Sequence, residues 1–152
     1  MSTKIVNLSG SSKNNEQFVV EIENYEIKIG ANSNDSKQNA PSPIEYILAG
    51  YAGCMNAVGT LVASELKLNL KSLQVAIKGE INVDKFLGKS TSERAGFNSI
   101  EVFINPETDA SPDEIKKWLT ILENRCPVGD NLKYETPVSL NLVAKFENEI
   151  AH

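Results

Sequence analysis

The sequence is poor in the residues on which metal centres, hydrolytic sites and disulfide scaffolds depend. Its 152 residues include two cysteines and one histidine, the terminal His152. A zinc site needs three or four protein ligands, and hydrolases commonly use a histidine as general base. We therefore expect no metal site built by one chain and no hydrolase chemistry, and no bound cofactor is predicted.

Basic runs and long hydrophobic runs are also scarce. Lysine and arginine total 15 against 20 acidic residues, which gives a net charge of −5, and no basic run could follow a phosphate backbone. The N-terminal residues Met1–Asn7 turn polar too early for a signal peptide. We also expect the chain to contain no apolar, charge-free stretch of about 18 residues, the length that a helix needs to span a membrane. The sequence predicts a cytoplasmic protein that binds neither nucleic acid nor membrane.

What is present is the ordinary composition of one globular domain. Hydrophobic residues make up 41% and charged residues 23% of a chain long enough to bury a core without disulfides or metals. No internal repeat divides the chain, so we expect a single domain over residues 1–152. Two cysteines in a reducing compartment are either inert core thiols or transient redox groups. The question of function therefore narrows to Cys54 and Cys126.

The N-terminal part of the chain predicts a hairpin followed by a loop. Charged and apolar residues alternate with period two from Gln17 to Gly30 on either side of Asn24, a pattern typical of two paired strands. Residues 31–42 are rich in Asn, Ser and Asp and end on proline and serine, which predicts a loop. This loop leads into a long helix.

The long helix is predicted from Pro43 to Leu66. Ser42 at the N-cap, a proline at the first position and Glu45 three residues after the serine match a capping box. Apolar residues form one stripe and small residues a second face, so we expect the helix to be buried on most sides. Gly50 and Gly53 each cost about 1 kcal/mol against alanine in a helix interior, which predicts that another backbone approaches closely there.

The C-terminal half predicts two strands, a second helix and a last strand. Alternating patterns cover Leu73–Val83 and Phe97–Ile104, separated by a polar stretch. Ser111, followed by Pro, Asp and Glu, opens an amphipathic helix with a second capping box. Another run, Val138–Phe146, predicts a final strand. Strands that flank two helices in this order indicate the α+β class.

The two cysteines lie in different predicted surroundings. Cys54 shares its helix face with apolar residues and glycine, so it is either a small core thiol or a reacting thiol that needs a nearby donor or cation. Cys126 ends the second helix immediately before Pro127. If a short helical turn begins at Pro127, Cys126 occupies its N-cap, where free N–H groups and the helix dipole lower a thiol pKa. A core cysteine before a helix breaker is the alternative.

A family resemblance goes beyond these single residues. The stretch Pro43–Cys54, Pro-Ile-Glu-Tyr-Ile-Leu-Ala-Gly-Tyr-Ala-Gly-Cys, resembles the central-helix signature of the OsmC/Ohr family. Arg125–Val128 followed by Thr136–Val138 resembles its second-cysteine segment, and the order of elements matches over nearly the whole chain. The resemblance implies the OsmC-like fold, with antiparallel sheets around a buried central helix, in an intertwined homodimer.

The resemblance also implies an activity, the thiol-dependent reduction of organic hydroperoxides in the response to oxidative stress. Cys54 takes the place of the peroxidatic cysteine and Cys126 that of the resolving cysteine. Oxidation then leads to a disulfide that an external dithiol must reduce. A non-catalytic dimer that keeps the fold and binds a small molecule is the alternative.

Two positions depart from the hydroperoxide-reductase branch of that family. The branch carries a thiolate-stabilising arginine in its N-terminal strands, whereas the first arginine here is Arg94. Its orienting glutamate precedes the cysteine by ten residues, whereas Glu45 precedes Cys54 by nine. Glu45 is therefore either a capping-box residue or a catalytic carboxylate that serves the partner's site in a dimer. These departures place the match closer to the OsmC-like branch.

Overall fold

Antiparallel strands and helices make up the part of the chain that the computed structural model describes, residues 2–12, 17–30, 40–89 and 92–144. The strands form a three-stranded sheet of order β1-β2-β3 and a separate two-stranded sheet of β4 and β5. The predicted α+β class is confirmed. In chain order the elements are β1 Ser9–Ser11, β2 Phe18–Ile22, β3 Tyr25–Ile29, α1 Pro43–Glu65, β4 Leu70–Ile81, β5 Phe97–Thr108, α2 Pro112–Arg125 and α3 Pro127–Lys133.

The chain divides into two compact units, one made of residues 1–47 and 137–152 and the other of residues 48–136. In the first unit, β2 and β3 form the predicted hairpin, with Val20 opposite Ile27. Its turn contains Glu23, whose φ of 50° lies in the left-handed region. The Tyr46 hydroxyl donates to the Lys28 carbonyl at 2.8 Å and ties the first turn of α1 to β3. Of the predicted loop that follows, residues 31–39 lie outside the described residues.

The second unit has its core between α1, α2 and one face of the β4–β5 sheet. Trp118 and Leu122 of α2 are almost completely buried, and they pack with Val62 and Met55 of α1. The indole Nε1 of Trp118 donates to the carbonyl oxygen of Gly59 at 2.8 Å, so the one polar atom of this large side chain is satisfied inside the core. Strand residues on the sheet's inner face complete the cluster: Leu73, Val75, Ile77, Ile100, Val102 and Ile104.

Period-two alternation explains why the β4–β5 sheet covers this core with one face only. Its outward residues are exposed and, apart from the facing pair Ala76 and Phe103, polar, and they pair across the strands as the register dictates. Ser72 donates to Glu107 at 2.6 Å, and Lys78 forms an ion pair with Glu101 at 3.6 Å. Strand β4 begins at Leu70, before its predicted start at Leu73, but ends at Ile81, before its predicted end at Val83. Strand β5 begins at Phe97 as predicted and continues past Ile104, because the alternation continues to Thr108.

Helix α1 buries one face in the chain and leaves the opposite one exposed. The exposed face, here called the small-residue face, comprises Ala49, Gly50, Gly53, Asn56, Ala57, Thr60 and Ser64. A Cβ added at Gly50 or Gly53 would meet nothing within 4 Å. The close backbone approach predicted at these glycines is therefore not made by the described residues of a single chain.

The length and composition of α1 show that one prediction was wrong, namely that the chain has no apolar stretch long enough to span a membrane. Over Pro43–Glu65 the helix is long and apolar enough to cross a membrane, so the chain does contain a stretch of the kind that was expected to be absent. Polar asparagine, threonine and serine interrupt its hydrophobic residues, which obscures the stretch in a search for purely apolar runs. The buried face of α1 packs against Trp118 and Leu122.

The predicted last strand is not formed by the residues of it that the structure describes. Residues Val138–Val143 have no regular structure, and residues 145 and 146 lie outside the described part. Leu140 and Leu142 are 101% and 102% exposed, and Val138 is 88% exposed. A strand is stabilised by hydrogen bonds to a neighbouring strand and by burial of one face, and within the described residues this segment has neither.

The contact between Gly59 and Trp118 gives the first testable prediction. A Cβ at Gly59 would lie 3.0 Å from Trp118 Cζ2 and 3.1 Å from Leu122 Cδ1, closer than a packed core accommodates. We expect Gly59→Ala to lower the free energy of unfolding by about 1–3 kcal/mol despite the better helix propensity of alanine. Urea unfolding followed by tryptophan fluorescence measures this. Ser64→Ala, on the exposed face of the same helix, should change stability by less than about 0.5 kcal/mol; equal effects would contradict the packing argument.

Candidate active site

The two cysteines are brought together in the second unit although 72 positions separate them in sequence. Cys54 lies in the middle of α1 and is half-buried, and Cys126 lies where α2 ends and α3 begins and is 1% exposed. Their sulfurs are 3.0 Å apart, with the Cys126 thiol donating to Cys54 Sγ. A disulfide bond is about 2.05 Å long, so these are two free thiols in contact. A movement of the two sulfurs by about 1 Å toward each other would bring them to bonding distance.

Local sequence explains why Cys126 lies at a junction between helices. The ring of Pro127 cannot continue α2 but fits the first position of a new helix, so the chain takes an extended conformation at Cys126, with φ −78° and ψ 106°. The residue is thus both the C-cap of α2 and the N-cap of α3. Its sulfur accepts a hydrogen bond from the Gly129 N–H at 3.4 Å. The predicted turn beginning at Pro127 is α3.

The electrostatics of Cys126 differ from the expectation for a helix N-cap. Burial raises the pKa of the Cys126 thiol, and the hydrogen bond to Cys54 raises it further. The backbone N–H groups of Gly129 and Val128 act in the predicted direction and lower the pKa, but they do not outweigh the loss of solvation. Cys126 therefore stays protonated at neutral pH, and this is the state in which it donates to Cys54.

Glu45 lies at the first turn of α1, in the first unit, and is engaged in capping. The backbone N–H and the hydroxyl of Ser42 both donate to Glu45 Oε2 at 2.7 Å, and the Glu45 N–H donates to Ser42 Oγ at 3.4 Å. These hydrogen bonds, the backbone one first, lower the pKa of the exposed Glu45 carboxyl. The structure thus confirms the predicted capping box.

The cation adjacent to Cys126 in sequence is engaged elsewhere. Both Arg125 Nη atoms donate to the carboxylate of Glu65, at 2.5 and 3.1 Å, in a bidentate pair at the surface. This pair raises the pKa of Arg125 and lowers that of Glu65. Arg125 therefore clamps the end of α2 to the end of α1.

Two residues beside the thiols were not predicted as part of the site. Tyr51, three residues before Cys54 on α1, is 6% exposed and lies against Gly129, whose N–H donates to Cys126 Sγ. Burial raises the pKa of the Tyr51 hydroxyl and keeps it protonated. The i, i+3 spacing from Tyr51 to Cys54 and the i, i+3 spacing from Cys126 to Gly129 are the sequence signals that could have found them.

The site contains no recognisable set of metal ligands. In residues 2–12, 17–30, 40–89 and 92–144, no group of three or more His, Cys, Asp and Glu side chains is arranged to hold a metal ion. The groups that the structure brings together at this site are two thiols, the Tyr51 hydroxyl and the backbone N–H of Gly129.

The fold and the site define a class of α+β proteins in which a thiol on a long core helix meets a second thiol at a helix junction. The family model for OsmC-like protein matches residues 16–141, which include both cysteines. This chain belongs to the OsmC-like family. No curated protein matches it.

Solved structures of related proteins have the same fold. The OsmC-like protein from Mycoplasma pneumoniae is 18% identical, with 87% of this chain and 89% of that chain covered and a TM-score of 0.77. An organic hydroperoxide resistance protein from Elizabethkingia anophelis is 16% identical, with 87% and 90% covered and a TM-score of 0.64. The organic hydroperoxide resistance protein OhrB of Bacillus subtilis is 15% identical, with 86% and 91% covered and a TM-score of 0.57.

The raised pKa of Cys126 predicts how the stability of the reduced protein depends on pH. Above about pH 8.5 an unfolded cysteine loses its proton, whereas folded Cys126 retains it. The unfolded state then binds fewer protons, so the stability that is present below this pH is lost as the pH rises toward the folded pKa, by at most about 1.4 kcal/mol per pH unit.

Urea unfolding of the reduced protein between pH 7.5 and 9.5 measures this slope. The Cys126→Ser variant is the control, because its side chain has no proton to lose in this range. We expect the loss of stability with pH to be shallower in the variant than in the wild type. Equal slopes would show that Cys126 ionises alike in the folded and unfolded chains.

Proposed function

We propose that this chain is a thiol-dependent peroxidase that reduces organic hydroperoxides. Cys54 is the peroxidatic cysteine and Cys126 the resolving cysteine. The observation that carries the proposal is the pair of free sulfurs 3.0 Å apart, one half-buried on a helix and one buried and protonated. The organic hydroperoxide resistance proteins that share the fold are consistent with it.

The reaction follows from the asymmetry of the two thiols. The Cys54 thiolate attacks the O–O bond, forms a sulfenic acid and releases an alkoxide, which takes up a proton to become the alcohol. The Cys126 sulfur then displaces hydroxide from the sulfenic acid, and with its thiol proton this hydroxide leaves as water. An external dithiol returns the disulfide to two thiols. Val58 and Leu61, one and two turns after Cys54, offer apolar surface to an alkyl group.

The proposal includes a homodimer, which the exposed surfaces of the single chain favour. The small-residue face of α1 allows close approach of a second helix, since nothing lies within 4 Å of a Cβ at Gly50 or Gly53. The apolar side chains of Val138, Leu140 and Leu142 are almost wholly exposed. In the proposed intertwined dimer a second copy covers both of these surfaces, and Glu45 serves the partner's site. The family match over residues 16–141 favours a single domain, and a content of two cysteines is typical of a cytoplasmic protein rather than of a secreted disulfide scaffold.

The activity is tested by following tert-butyl hydroperoxide in the presence of a dithiol. The wild type should consume peroxide over many turnovers, and Cys54→Ser should not exceed the background rate, because the attacking sulfur is gone. Cys126→Ser should reduce about one equivalent and then stop at the sulfenic acid, which dimedone traps.

Mass spectrometry of the wild type after one equivalent of peroxide identifies the product. We expect a loss of about 2 Da per chain, because two thiol hydrogens leave when the disulfide forms. A wild type that stays fully reduced and consumes no peroxide with any dithiol would sink the peroxidase proposal. It would leave the non-catalytic binding dimer as the function.

The dimer is tested by Gly53→Leu. The single chain has room for the new side chain, so the variant should fold, but the side chain would hold a second α1 helix away. We expect overpacking to destabilise the dimer by about 1–3 kcal/mol, which weakens association about fivefold or more in sedimentation equilibrium. Thr120→Leu, on the exposed face of α2, should leave association unchanged. A monomeric wild type at micromolar concentration would contradict the dimer.

A further inference from the structure

Gly129 lies where α3 meets the face of α1 that carries Cys54. A Cβ added at Gly129 would lie 3.0 Å from Tyr51 Cε2, 3.3 Å from Tyr51 Oη and 3.5 Å from Cys126 Sγ. The aromatic side chain and the sulfur thus both approach the same point. The space that a side chain at position 129 would fill is already occupied by its neighbours.

Backbone conformation does not explain the glycine. Gly129 lies inside α3 and its φ is not in the left-handed region, so any residue could adopt its conformation. Alanine at this position would favour the helix by about 1 kcal/mol. The close approach of Tyr51 is therefore the feature of the structure that requires a residue without a side chain here.

This contact connects the two thiols mechanically. The N–H of Gly129 donates to Cys126 Sγ at 3.4 Å, so the position of the Gly129 backbone determines where the sulfur is held. Tyr51 belongs to the same helix as Cys54 and precedes it by three residues, so its ring and the Cys54 sulfur share one rigid support. When the Tyr51 ring packs on Gly129, the turn that bears Cys126 is fixed relative to Cys54.

We propose that Tyr51 and Gly129 form a positioning pair that holds Cys126 Sγ against Cys54 Sγ and thereby sets how readily the disulfide forms. This deepens the proposed function and rests on it for the roles of the two thiols. To bond, the sulfurs close from 3.0 Å to about 2.05 Å. Misplacement by even 1 Å can slow a step that depends on such proximity by a factor of about 10².

The test uses diamide, an azo compound that oxidises dithiols and requires no peroxidase activity. One cysteine thiolate adds to the N=N bond, and the sulfur of the other cysteine displaces the nitrogen. The products are the disulfide and the hydrazine, which has gained two electrons and two protons. Pre-reduced protein is mixed with diamide and quenched with acid, and the disulfide is quantified by mass spectrometry. A glutathione redox buffer gives the equilibrium constant for the same disulfide.

Gly129→Ala should slow closure of the disulfide about tenfold or more and lower its equilibrium constant against glutathione by a similar factor. Asp130→Ala is the matched control, because it places alanine at the next, exposed position of the same helix. The control should behave as the wild type does. Reaction of Cys54 with a small disulfide reagent, measured in a Cys126→Ser background, should be unaltered by Gly129→Ala. If the disulfide formed in Gly129→Ala as fast as in the wild type, the proposal would be overturned.

Tyr51→Leu provides the second arm and remains informative if Gly129→Ala does not fold. Removal of the ring should by itself slow closure about tenfold, and an unchanged rate would overturn the proposal. In the Tyr51→Leu background, Gly129→Ala should slow closure by less than twofold, since the clash partner is gone. If the double variant slowed closure by the product of the two single factors, Tyr51 and Gly129 would act separately. A wild type that closes with diamide but reduces no hydroperoxide would refute the peroxidase and leave the positioning pair intact.

Discussion

The packing of Trp118 and Leu122 on the Gly59 backbone is the constraint on which the second unit depends. Trp118, Leu122 and Cys126 recur every four residues on α2, and they lie along one stripe of that helix. Because Trp118 and Leu122 pack against α1, the same stripe also brings Cys126 against α1. It meets that helix at Cys54, nearer the helix N-terminus than Gly59. Contact between the thiols is therefore a consequence of how the core packs, rather than of a separate loop folded over the site.

The two thiols differ in environment more than in chemistry. Cys126 is buried, protonated and supplied with a backbone donor, whereas Cys54 accepts its hydrogen bond and is half-buried. The nearest arginine in sequence, Arg125, is held by Glu65 at the surface. The donor beside the Cys54 sulfur is therefore the neutral Cys126 thiol rather than the Arg125 guanidinium.

Features determined by residues close together in sequence were predictable. Features determined by opposing effects on the pKa of one group, or by contacts between residues far apart in sequence, were not. Both capping boxes and the β2–β3 hairpin follow from residues within a few positions of each other. The direction of the Cys126 pKa shift was wrong, because the N-cap effect is visible in sequence but the burial that outweighs it is not. The strand predicted at Val138–Phe146 has the correct alternation but no partner strand in the described chain, and alternation alone does not hold a strand together.

The double role of Cys126 as the last cap of α2 and the first cap of α3 makes its sulfur part of the scaffold as well as of the site. The Gly129 N–H relies on that atom as an acceptor. Replacement by alanine therefore leaves an unsatisfied donor at a helix start, whereas serine retains an acceptor on a shorter bond to Cβ. Alanine and serine variants of this one residue should then unfold differently even under conditions in which neither can form a disulfide. The sulfur at this junction thus has a structural role in the reduced protein that requires no oxidant.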